Sequence, residues 1–254
     1  MESDPMTAPK IVPTVVCNRR GTPRLCGIEV PADLQALVVE RTTCPNDNPE
    51  CACKPVVSVV GGVDEAGMER ALSDFGGCVE VAYGQLLSGE HLLSTLERHG
   101  LYMALSTATA YSLAPAHMFC NVLAERHHLS PELRDAIELA VHEAVVNGLL
   151  HGNLEIGSGD RQSLEGLRRF GETISTQLRD PSLASRRIEV TAVVSEREVE
   201  LAVIDSGPGY EAESLAADDR PDRKSGRGLE LIRHFAQAVE VGEGGRKLRM
   251  RFAR

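Results

Sequence analysis

The run SPELRDAIELAVHEAVVNGLLHGN, residues 130–153, constrains the fold more than any other stretch of this chain. It opens with Ser130 as an N-cap, Pro131 at the first helical position and Glu132 in the first turn, which together mark a helix start. Its apolar residues are numerous enough for a helix packed in a core, and the helix is predicted to run to about His151. Yet Glu143, Asn147 and His151 are spaced four apart, so they stack on one face of that helix. Such a stripe is either a solvated face or the polar edge of a binding site. His151, followed by Gly152 and Asn153, has a further plain reading as a helix C-cap.

Around this helix the chain alternates strands and helices. PVVSVV (55–60) reads as a buried strand, VDEAGMERALSDF (63–75) as a helix, VEVAY (79–83) as a strand and SGEHLLSTLERHG (88–100) as a helix. This order predicts βαβ units on a parallel sheet. Strands are also expected near IVPTVV and QALVVE. LYMALSTATAYSLA leads from strand into helix, and APAHMFCNVLAERHH (114–128) is helical. RRIEVTAVVSEREVELAVIDSG (186–207) alternates on both sides of SERE, as a β-hairpin does. A helix from Gly228 to Ala238 and a final strand in KLRMRFA (247–253) close the pattern, with an extra amphipathic helix at LEGLRRFGETISTQL (164–178).

Composition excludes several classes of function. The net charge of −10 argues against a general nucleic-acid binder. No apolar run approaches the roughly 20 residues that span a bilayer, and MESDPMTAPK lacks the basic start and apolar stretch of a secretory signal. A cytoplasmic protein with seven reduced cysteines is the expectation. Cys44, Cys51 and Cys53 stand close together in TTCPNDNPECACK. Without a paired C-x2-C knuckle or a fourth ligand, they fit a polar loop better than a zinc site.

Two glycine-rich segments follow the polar helix. DSGPG, Asp205 to Gly209, lies at a strand exit, and SGRGLELI, Ser225 to Ile232, opens a helix. Each alone is an ordinary turn. With Mg-ATP as ligand, all three segments acquire a physical role. An Asn oxygen is a neutral hard ligand suited to Mg²⁺, and a Glu one turn earlier can accept a proton from an attacking hydroxyl. An Asp carboxylate can accept from adenine's exocyclic amine while glycines let the base approach the backbone. Gly226 and Gly228 leave a helix N-terminus open to phosphate charge.

That order of motifs resembles the ATP-binding module shared by gyrase, histidine kinases, heat-shock chaperones and mismatch-repair ATPases. AVHEAVVNGLLHGN, VIDSGPGY and SGRGLELIRHFAQAVEV most resemble the anti-sigma-factor serine kinases, over residues 101–254. The resemblance implies a Bergerat-type two-layer α/β sandwich with a mixed sheet. It implies Asn147 as the Mg²⁺ ligand and Glu143 as the general base. It also implies Asp205, Gly207 and Gly209 around adenine, and Gly226, Arg227 and Gly228 against the phosphates. Residues 210–225 would form a lid, with Arg223 and Lys224 near phosphate. The implied activity is that of a Mg-ATP-dependent protein serine/threonine kinase acting by partner switching on an antagonist protein, a sigma factor or both. A non-catalytic nucleotide- or partner-binding module is the alternative. A histidine kinase fragment is another, with His128 as the phosphate acceptor.

Residues 10–100 resemble the C-terminal part of a response-regulator receiver, an α/β domain, in the rhythm of their strands and helices. Val38 stands where a receiver's phosphate-accepting aspartate is expected, and Cys17 and Asn18 replace its acidic pair. The resemblance therefore implies a degenerate receiver with a docking role. The helix at 164–178 offers a face for a partner or for a second copy in a homodimer.

Overall fold

In the computed structural model, the described residues are 14–17, 55–60, 64–74, 76–80, 89–157, 163–209 and 227–254. The readings made for Val38, the strand QALVVE, the cysteine loop, the stretch 210–225 and Gly226 lie outside them.

The described strands are β1 (Thr14–Cys17), β2 (Pro55–Val60), β3 (Gly77–Glu80), β4 (Leu101–Ser106), β5 (Arg187–Val194), β6 (Glu198–Asp205), β7 (Ala238–Gly242) and β8 (Lys247–Ala253). They form one sheet in the order β1-β2-β3-β4-β5-β6-β8-β7. β2, β3 and β4 run parallel, as the strand–helix alternation predicts. All other pairs are antiparallel, so the sheet is mixed. β4 is LYMALS, with all six residues buried. A strand covered on both faces needs such a continuous apolar run.

The described α-helices are α1 (Glu65–Asp74), α2 (Gly89–Glu97), α3 (Thr107–Ser112), α4 (Pro115–His127), α5 (Pro131–Asn147), α6 (Leu164–Gln177), α7 (Pro181–Ala184) and α8 (Arg227–Phe235). The start of α5 is as the sequence predicts: Ser130 is extended (φ −66°, ψ 152°) and its hydroxyl accepts from the Leu133 N–H. The main core lies between one face of the sheet and α1, α4, α5 and α8. There Phe119, Leu123, Ile137 and Val141 meet Ile188, Val190, Leu201, Met250 and Phe252. Burying one such side chain contributes about 1.5–3 kcal/mol.

Packing runs from residues before 100 to residues after it. β3 pairs with β4, Met68 and Leu72 of α1 share the core of Phe119, and the Arg126 guanidinium donates to the carbonyls of Leu72 and Ser73. α2 lies on the other face of the sheet, because it reaches Glu189, whose neighbours Ile188 and Val190 point into the main core. A smaller cluster joins Ile174 of α6 and Leu183 of α7 to Leu150, Leu154 and Ile156.

Two sequence expectations need correction. The helix predicted to reach Ala238 ends at Phe235, and Ala238–Gly242 is the edge strand β7. Only Val239 and Val241 alternate there, too short a signal to displace the preceding helical period. The long helix does not end at His151 in a simple cap. After Asn147 it widens into one π turn, Gly148–Asn153, in which Leu154 N–H donates to the Leu149 carbonyl.

Candidate functional site

That π turn builds the site. A π turn adds a residue to the helical ring, so it breaks the four-residue spacing beyond Asn147. His151 leaves the stripe: its side chain is exposed and Nδ1 lies 2.5 Å from the Ile156 carbonyl oxygen. Asn153, by contrast, is carried fully inside. Its Nδ2 donates to Thr107 Oγ1 and to the Arg187 carbonyl, both at 2.9 Å, and its Oδ1 accepts from the Ser206 N–H at 2.8 Å. Asn153 thereby ties the start of α3, the start of β5 and the DSGPG loop together. Sequence reasoning missed it, because HGN reads as a helix ending and a buried Asn leaves no periodic trace.

The turn also presses on Asp205, the last residue of β6. A methyl placed on Gly152 would stand 2.5 Å from Cγ and Oδ1 of Asp205, so only glycine lets the turn pass this carboxyl. Gly207 donates its N–H to Asp205 Oδ1 at 2.9 Å and rests on the backbone of Gly152. Gly209 is left-handed (φ +77°), the conformation that favours glycine, and packs against the Gly244 carbonyl. Burial raises Asp205 to about 6. The Gly207 N–H and the nearby Arg246 and Arg186 charges oppose that rise without cancelling it.

Glu143 and Asn147 remain on α5, before the π turn, and both are half-buried. Neither side chain has a hydrogen-bond or ion-pair partner among the described residues. They face the first turn of α8: a methyl on Gly228 would lie 2.8 Å from Glu143 Oε2 and 3.1 Å from Asn147 Nδ2. α8 starts at Arg227, so its N-terminal end, the positive end of the helix dipole, stands over the acid–amide pair. The structure thus brings together Glu143, Asn147 and Gly228, and separately Asp205, Gly207 and Gly209. The two groups are linked by Gly148, whose added methyl would lie 3.4 Å from Asp205 Cβ. His128, the alternative phosphate acceptor, is the left-handed C-cap of α4 (φ 52°).

A strand-end carboxylate thus stands behind glycines, and an acid–amide pair lies under a helix N-terminus. The family model of the histidine kinase-like ATPase domain matches residues 106–252. That is more than half of the chain, and the chain belongs to this family, whose ATP-binding modules occur in regulatory proteins. No curated protein matches the chain. Among the described residues, no helix is long and apolar enough to cross a membrane.

Proposed function

We propose that this protein is a Mg-ATP-dependent protein serine/threonine kinase of the anti-sigma-factor type, acting by partner switching on an antagonist protein, a sigma factor or both. The observation that carries the reading is the pair Glu143 and Asn147, half-buried yet without partners among the described residues, beneath the N-terminus of α8. Their polar atoms stay open to solvent, so a ligand that replaces water there finds an acceptor carboxylate and an amide ready to meet it.

The donor set fits the group it would hold. Asn147 supplies a neutral oxygen suited to Mg²⁺ on phosphate, and Gly228 leaves the space that any side chain would fill. When bound, Mg²⁺ supplies charge neutralisation on the phosphate oxygens. Asp205 accepts from the adenine amine, and the N-terminal end of α8 faces phosphate charge. In the transfer, Glu143 Oε takes the proton of a serine or threonine hydroxyl as its oxygen bonds to the γ-phosphorus. The bond to the β,γ-bridging oxygen breaks and ADP leaves.

Incubation with labelled ATP and candidate antagonist proteins from the same genome tests this. Phosphoserine or phosphothreonine on the partner is expected, reduced at least about 100-fold in Glu143→Ala. Transfer by Glu143→Ala at the wild-type rate removes the base assignment, and ATP binding without transfer to any partner favours a non-catalytic module.

A further inference from the structure

The side chain of His91 joins α2 to the turn beside the nucleotide loop. On the sheet face opposite α5, His91 of α2 lies between two carboxylates: Nδ1 is 3.3 Å from Glu189 Oε2 and Nε2 is 2.8 Å from Glu243 Oε1. Tyr102 Oη donates to the same Glu189 oxygen at 2.7 Å, and Lys247 Nζ to the same Glu243 oxygen at 3.0 Å. Among the described residues, Glu189, Glu243, Lys247 and Tyr102 are therefore the titratable groups that face the imidazole, from β5, the β7–β8 turn, β8 and β4. Only the imidazolium donates at both nitrogens. The Glu189 hydrogen bond, with Glu243 second among the groups that favour the cation, holds His91 above its ordinary value despite burial.

Glu243 opens a turn of three consecutive left-handed residues, Glu243 (φ 53°), Gly244 (φ 64°) and Gly245 (φ 90°). A glutamate in this region is disfavoured and persists only where its surroundings hold it. The holders here are His91 and Lys247 on its side chain and the Arg246 Nε–H on its carbonyl at 3.1 Å. What the turn then positions is the site: the Gly244 carbonyl packs on Gly209, and the Arg246 carbonyl accepts from the Asp205 N–H at 2.9 Å.

We propose that His91 is a positioning residue for the nucleotide loop, through which docking of α2 on the sheet and adenine binding at Asp205–Gly209 favour one another. This rests on the ATP-binding reading above. Coupling of this kind is reciprocal, so nucleotide also strengthens the hold on α2. Arg98 provides the control. It anchors the far end of the same helix to Glu200 at 2.6 Å, away from the turn.

The test is calorimetric titration of the full chain with Mg-ATP and with adenosine at pH 7, for wild type, His91→Ala, His91→Gln, Glu243→Gln and Arg98→Ala. His91→Ala is expected to weaken both ligands about tenfold, since the loss lies at the adenine end, with partial recovery in His91→Gln. Glu243→Gln, which leaves the helix intact, is expected to weaken both in the same direction, and Arg98→Ala to bind as wild type does. Equal affinity in wild type, His91→Ala and Glu243→Gln overturns the proposal. So does a loss in Arg98→Ala as large as in His91→Ala, because the coupling would then not run through the His91–Glu243 contact. Absence of Mg-ATP binding by wild type overturns the nucleotide reading itself, and this proposal with it.

Discussion

Asp205 sets function against stability, and Asp205→Asn separates the two. The carboxyl titrates at about 6 in the folded chain, against 3.8 ordinarily, because burial disfavours its charge. The folded state therefore holds this proton more tightly than the unfolded state, and stability declines as pH rises through that window. Below 3.8 the carboxyl is neutral in both states and costs nothing. Above about 6 it is ionised in both, and the full cost is present. At about 1.4 kcal/mol for each pH unit of displacement the upper bound is roughly 3 kcal/mol. Solvent reaches one side of Asp205 and screens the charge, so about 1–2 kcal/mol is the expected value. An amide keeps the shape and can still accept from the Gly207 N–H while carrying no charge. Asp205→Asn should thus be more stable than wild type by about 1–2 kcal/mol at pH 7.5, or roughly 3–6 °C in Tm. The advantage should shrink towards zero near pH 4. On the proposed adenine role of Asp205, Mg-ATP affinity should fall at least about tenfold in the same variant, because a charge-assisted acceptor becomes a neutral one. Urea unfolding at several pH values, with titration calorimetry at pH 7.5, reads both effects. A stability difference that does not change with pH, or a less stable Asp205→Asn at pH 7.5, would refute the argument that the carboxylate is desolvated.

Other substitutions read the rest of the site. Asn153→Ala leaves the Ser206 N–H and the Arg187 carbonyl without their buried partner, and should cost about 2–4 kcal/mol in urea unfolding. Gly152→Ala forces a methyl against the Asp205 carboxyl and should destabilise by about 1–3 kcal/mol, with nucleotide binding lost alongside. Gly228→Ala should behave differently: its methyl enters the space between α8 and Glu143, so Mg-ATP affinity should drop about tenfold with stability changed by less than about 1 kcal/mol.

How far the sequence foretold this follows from where each signal resides. Local chemistry was legible: Ser130-Pro131-Glu132 starts α5 as expected, and the β5–β6 hairpin turns around the predicted SERE. The parallel β2-β3-β4 order follows from strand–helix alternation, although that rhythm is common to many folds and names no family by itself. Features set by distant partners were not legible. The π turn carries Gly148 and Gly152 past Asp205, some 55 residues away in sequence, and it changes which residue after Asn147 turns inward. His151 was thus placed on the polar stripe and Asn153 overlooked. Nor did the sequence announce that α2 reaches Glu189 and Glu243, because each lies on a separate element. Glu143 and Asn147 share one face, as their spacing predicts, because both precede the π turn, where the four-residue spacing still holds.

The central claim is that α5 presents Asn147 to a magnesium-bound nucleotide, and titration calorimetry of wild type and Asn147→Ala with Mg-ATP tests it most directly. Wild type should bind with one site per chain. Asn147→Ala should lose at least about tenfold in affinity, and its remaining binding should no longer depend on Mg²⁺. No binding by wild type, or equal Mg²⁺-dependent binding by both proteins, would contradict it.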